Sequence, residues 1–198
     1  MRKATILLVV GLAVVSGAAT ASAEEPDRSR KLQLALTVVP MAFGRFTSVP
    51  GGMKMTEDGA FAYGLDVAAG YEVLPGLSLG VAPQMLLHVK PKTDDGSAYK
   101  ELDLLARLAY TFRLVDTLAI YAEALPGYSF LLPAGDGNSA TGLVVAFGAG
   151  AMLDLGARAF ALVGGGYQLG FQKVTFDGVT QDNRTKFVRL TIGGGVRF

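Results

Sequence analysis

KFVRLTIGGGVRF, residues 186–198, divides into two kinds of face when drawn as an extended strand. Val188, Leu190, Ile192, Gly194, Val196 and Phe198 take one side; Phe187, Arg189, Thr191, Gly193, Gly195 and Arg197 take the other. One face is apolar and ends in an aromatic ring, and the other is small or charged. Such a strand suits a wall with lipid on one side and a polar lumen on the other. One face of a soluble sheet would look the same, so the decision rests on whether the rest of the chain repeats the division without supplying a second apolar layer.

It does repeat. Residues 61–73 alternate without a break, with Phe61, Tyr63, Leu65, Val67, Ala69, Tyr71 and Val73 against Ala62, Gly64, Asp66, Ala68, Gly70 and Glu72. After the turn Leu74-Pro75-Gly76 the pattern resumes over residues 77–90, with Gln84, His88 and Lys90 on the minor face and Pro83 inside the strand. Leu102, Leu104, Ala106, Leu108, Tyr110 and Phe112 follow, with Asp103, Arg107 and Arg113 between them. Residues 118–131, 143–154 and 163–172 continue the period of two, and residues 32–45 supply it at the start, interrupted at Pro40. Proline donates no ladder hydrogen bond, so Pro40, Pro83 and Pro126 are expected to mark bulges or slips of register.

Long polar segments (residues 47–59, 91–99, 132–142 and 175–185) alternate with turns of a few residues. The expectation is an all-β fold, an eight-stranded antiparallel up-and-down transmembrane β-barrel, with both termini and the short turns at the periplasmic end. The minor face is rich in Gly and Ala, as the inside of a narrow cylinder requires. A secreted barrel with an apolar interior is the rival fold.

Composition agrees. Of the 198 residues 51% are hydrophobic and mean hydropathy is +0.38, yet beyond the N-terminus no apolar run reaches the roughly 18 to 20 residues of a spanning helix. A net charge of +1 gives no reason to expect a nucleic-acid partner, and without cysteine there is no thiolate chemistry. Arg2 and Lys3, the apolar run of residues 4–15 and the small residues Ala21-Ser22-Ala23 read as a signal peptide over residues 1–23 cleaved after Ala23. Residues 24–31 are then a charged lead-in and residues 32–198 the barrel domain.

The signal peptide, the eight alternating strands and the closing G-G-G-V-R-F resemble the small outer-membrane β-barrel family that includes OmpX-like proteins and the membrane domain of OmpA-like proteins. The resemblance covers residues 32–198. It implies that Phe198, with Val196, Gly194, Ile192 and Leu190, is the assembly signal read by the barrel-insertion machinery. It also implies periplasmic chaperones, outer-membrane lipid and lipopolysaccharide as partners, no cofactor, and a monomer. No peptidoglycan-binding domain follows, so an anchoring role is not implied.

Within a barrel the minor-face residues form a lumen network. Asp66, Gln84, Arg107 and Glu123 lie at similar heights, with Arg107 and Glu123 as an ion pair. Glu72, Arg113, Asp154 and Arg197 form a second belt near the periplasmic rim, and Lys90 with Asp103 a third pair near the outer mouth. Arg189 points into the lumen. His88, the single histidine, is expected in the lumen near the outer end, where a lipid-modifying enzyme would need a serine such as Ser97 or Ser129 beside it. The favoured role is structural or surface interaction through the extracellular loops, with a polar plug inside. The rivals are a narrow channel and an outer-membrane lipid-modifying enzyme. Outward tyrosines and phenylalanines (Tyr63, Tyr71, Tyr110, Phe112, Tyr128, Tyr167, Phe171) read as interfacial girdles.

Overall fold

The alternation forces each strand to bury one face and leave the other out, and the computed structural model closes those strands into a cylinder. It describes residues 31–48, 55–92, 98–133, 138–176 and 179–198. These form β1 (Leu32–Ser48), β2 (Met55–Asp58), β3 (Ala62–Leu74), β4 (Leu77–Val81), β5 (Gln84–Val89), β6 (Tyr99–Val115), β7 (Leu118–Leu132), β8 (Ala140–Asp154), β9 (Ala159–Phe176) and β10 (Val179–Arg197). The signal peptide with Ala21 and Ala23, most of the lead-in, and Ser97 lie outside the described residues.

Successive strands pair antiparallel, and β1 pairs with both β10 and β3, so the sheet is a ring of eight. β4 and β5 are two parts of one stave between β3 and β6, and β2 is a short addition to the outer end of β1. The seam is complete at the periplasmic rim, where Leu32 and Phe198 exchange backbone hydrogen bonds of 2.9 and 3.3 Å. Closure leaves no edge of unpaired amides in lipid.

The prolines behave in three ways. At Pro40 the register shifts by one residue against both neighbours, between Val38 and Met41 toward β10 and between Val39 and Ala42 toward β3, which is the expected bulge. Pro83 falls in the gap between β4 and β5, where its missing donor breaks no ladder bond; its carbonyl still accepts from Val67 N–H at 3.0 Å. Pro126 overturns the expectation of a slip. Leu105 pairs with Gly127 and Leu108 with Ala124, the same frame on either side, and Pro126 stays aligned with Val145.

Two of the expected loops are also corrected. β1 continues to Ser48 and pairs with β2, and β9 and β10 continue to Phe176 and from Val179, so the described residues 47, 48, 55–58, 175, 176 and 179–185 of these segments are paired strand. Their polar sequence reflects strands that continue past the apolar band, where antiparallel pairing persists without an apolar outer side.

The outer wall is a continuous apolar band that includes Leu65, Val67, Leu79, Leu104, Leu108, Phe147, Val163, Leu190 and Ile192, all exposed. A soluble monomer does not present such a belt. The interior holds the charged groups, opposite to the secreted rival, and all seven girdle aromatics are exposed on the outer wall. Depth along this wall is testable on β3. Val67→Lys, mid-strand and 50% exposed, is expected to cost about 2–4 kcal/mol in lipid vesicles, and Val73→Lys near the rim about 0–1 kcal/mol. Equal losses in urea unfolding would contradict a lipid-facing band.

Candidate functional site: a layered lumen beneath an extracellular cup

Minor-face side chains fill the lumen in layers. At the periplasmic rim Asp154 on β8 accepts from Arg113 Nη1 and from Arg197 Nη1, each at 2.7 Å. Arg197 also lies 4.8 Å from the Phe160 ring centroid, and its Nη2 donates to Met152 Sδ at 2.9 Å. Glu72, expected in this belt, instead accepts from Gly76 N–H at 3.3 Å. Gly76 has φ +79°, which only glycine adopts readily, and the resulting tight turn brings its amide within reach of the carboxylate.

One layer further in, Arg107 Nε donates to Glu123 Oε2 at 2.8 Å, with both side chains mostly buried. A void of about 40 Å³ lies beside the pair and is bounded by Gln33, Thr37, Asp66, Tyr121 and Thr191. Gly164 belongs to this region: a Cβ there would run into the Tyr121 hydroxyl, so this glycine makes room for the ring.

Above it a buried network crosses the lumen from β5 to β10. Gln84 Nε2 donates to Asp103 Oδ2 and to Gln168 Oε1, both at 3.0 Å. Gln168 Nε2 donates to Asp103 Oδ2 at 2.8 Å and to Glu101 Oε1 at 3.1 Å. Ser129 donates to Glu101 at 3.3 Å, and Gln172 Nε2 reaches Ser129 and Thr185 at the same distance. Arg189 closes the set, with Nη1 3.4 Å from Gln168 Oε1 and Nη2 3.5 Å from Asp66 Oδ2. Gln84, Glu101, Asp103, Ser129, Gln168, Gln172 and Thr185 are each at most 1% exposed.

The structure thus brings together Arg107 with Glu123, Arg113 and Arg197 with Asp154, and Asp66 with Arg189. Gln84 pairs in register with Asp66, but its amide reaches across to Asp103. Among the described residues Asp103 accepts from Gln84 and Gln168 rather than from the expected partner Lys90. His88 is corrected as well. A one-residue bulge between Leu86 and Val89 gives it φ 61°, turns it out to an exposed position and puts Val89 inside. Buried Ser129 therefore has no histidine beside it. Among the described residues no group of three or more His, Asp or Glu could hold a metal.

Glu101, Gln168, Gln172 and Thr185 of the network, and Tyr121 beside the void, are the lumen residues that the sequence reading passes over. All lie in the minor phase of their strands, which is the signal that identifies them. Above the network an apolar layer of Val39, Phe46, Leu86, Val89, Leu131 and Phe187 fills the lumen, with Phe46 and Phe187 edge to face at 5.9 Å. A cavity of about 300 Å³ opens over it at the extracellular mouth. Phe46, Tyr99, Leu131 and Val174 line its base, and Glu57, Asn138, Asp182 and Asn183 its rim.

No protein-family model matches this chain, and no curated protein matches it. Solved structures do. Neisserial surface protein A superposes with TM-score 0.59 at 17% identity, covering 84% of this chain and 97% of that one. The outer membrane protein OprG from Pseudomonas aeruginosa gives 0.57 at 12%, covering 90% and 99%. The outer membrane protein AlkL, solved in lipid bilayers, gives 0.53 at 14%, covering 90% and 93%. At these identities the likeness is one of fold, and the chain has the fold of the small eight-stranded outer-membrane β-barrels.

Proposed function

We propose that this protein is an integral outer-membrane barrel, exported through a cleaved signal peptide and inserted with Phe198 in its assembly signal, whose lumen is sealed and whose working surface is its extracellular end. The observation that carries the reading is the network joining Gln84, Asp103, Glu101, Gln168 and Arg189 across the lumen. It is reinforced by the apolar layer above it. A path for ions would have to break several buried hydrogen bonds and cross that layer, and each unpaired buried polar group costs about 1–3 kcal/mol. The outer end, by contrast, carries the longer connections and the cup, a concave surface with an apolar base and a polar rim. The names of the structural neighbours, a surface protein and an outer membrane protein, are in keeping with such a role. Interaction of this end with a ligand outside the cell follows.

Planar-bilayer recording tests the sealed lumen. Refolded protein is expected to give no stepwise conductance. Steps whose size changes with Arg107→Ala or Glu123→Ala would establish the narrow channel instead. Altered lipid A in cells overproducing the protein would support the lipid-modifying alternative.

A further inference from the structure

The outward face carries a cluster of cations that the lumen network does not use. On β10, Arg184 and Lys186 are exposed and in phase with lipid-facing Val188 and Leu190. The register sets Lys186 opposite Arg45 on β1 and opposite Leu169 on β9, and Arg184 opposite Phe171. Lys173, exposed on β9, stands one step above Phe171 on the same face. With strands about 4.8 Å apart and about 3.4 Å per residue, the four cations occupy a patch about 10 Å across and about 13 Å along the wall. Arg45 is 3.4 Å from Asp58, and Asp182 is the register partner of Lys173. Four positive and two negative groups leave the patch at +2, and among the described residues neither the Arg184 nor the Lys186 side chain has an ion pair or hydrogen bond.

Like charges directly opposite on adjacent strands destabilise a sheet. The Lys186–Arg45 opposition stands where the apolar band ends, beside Leu169 and Phe171. We infer that Arg45, Lys173, Arg184 and Lys186 form a binding site for the phosphate groups of a phosphorylated glycolipid in the surrounding outer leaflet. The site's position selects a lipid over a soluble anion. It faces outward on the same side as the apolar wall, so a headgroup whose acyl chains lie along Val188, Phe171 and Leu190 places its phosphates against these cations. Guanidinium groups supply paired donors to phosphate, and the lysines add point charge. The inference rests on the outer-membrane reading above.

The test is native mass spectrometry of the full folded barrel in detergent with EDTA, which removes bridging by divalent ions. Bisphosphorylated lipid A and its dephosphorylated form serve as the probes. The phosphorylated form is expected to bind at least about tenfold more tightly. Arg184→Ala with Lys186→Ala should remove about tenfold or more of that affinity. Arg184→Lys with Lys186→Arg should retain it, and Lys100→Ala on β6, away from the patch, should leave it unchanged. Equal binding of the two lipids, or an unchanged double-alanine variant with normal heat-modifiable migration, would overturn the site. Both results leave the outer-membrane reading standing, whereas a wild-type barrel that does not insert into vesicles would remove both.

Discussion

Asp154→Ala is expected to lower the stability of the barrel by about 3–5 kcal/mol, the range for breaking a buried ion pair by removing one partner. One carboxylate here neutralises two guanidinium groups, each at 2.7 Å, and it is almost fully buried. Removing it leaves Arg113 and Arg197 facing each other across β8 with only the Phe160 ring and the Met152 sulfur beside Arg197. Arg113, the more exposed, can turn toward the periplasm; Arg197, enclosed, cannot, and it lies one residue from the terminal Phe198. The loss should therefore fall at the end of β10, on the β1–β10 seam on one side and, on the β9 side, where Arg197 N–H bonds Arg158 O at 2.7 Å. Urea unfolding in vesicles measures the total, and amide exchange at Leu32 and Phe198 locates it. A change below about 1 kcal/mol would mean that this belt behaves as a solvated surface pair.

The second large effect is expected at Arg189. Among the described residues Arg189 is the cation bonded within the network that also contains Asp66, Glu101 and Asp103, and Arg189→Ala removes it. The substitution leaves Asp66 without its ion-pair partner and opens space between the void beside Arg107 and the glutamine layer. Stability is expected to fall by about 3–5 kcal/mol, and a lumen closed to ions should begin to show brief conductance events in planar bilayers. Arg189→Met separates the causes. It restores most of the volume without the charge, so it should be destabilised like the alanine variant yet remain silent electrically. If both variants are silent, the apolar layer of Phe46, Leu86, Leu131 and Phe187 alone is sufficient to close the barrel.

The strand phase was legible throughout most of the chain. Val188, Leu190 and Ile192 point outward and Arg189, Gly193 and Arg197 inward, as alternation in residues 186–198 requires, and the same holds for residues 61–73. Where the reading failed, one inserted residue was responsible. At His88 the bulge reverses two successive side chains, and no local signal separates it from an uninterrupted strand. Pro40 announced its bulge because proline lacks the donor, yet Pro126, with the same deficit, kept its register because the paired residues on both sides hold the frame.

Partner choice in the lumen lay further from the sequence. Arg107 with Glu123 is a diagonal contact between adjacent strands, for the register sets Glu123 opposite Ala109, two residues from Arg107, and counting from the tight turn between them brings the two close. Gln84 with Gln168 joins residues 84 positions apart across the cylinder, and Arg189 with Asp66 joins residues 123 apart. Such contacts depend on stagger and curvature, which no strand records singly. By itself the sequence determined the class of fold and which face meets lipid, because a side-chain period of two and the placement of short turns are local properties of the chain. Only the closed tertiary structure decided which polar groups bond to one another, that Glu72 caps a turn, and that Arg45 and Lys186 stand opposed on the outer wall, because those depend on the register with which strands distant in sequence meet around a ring.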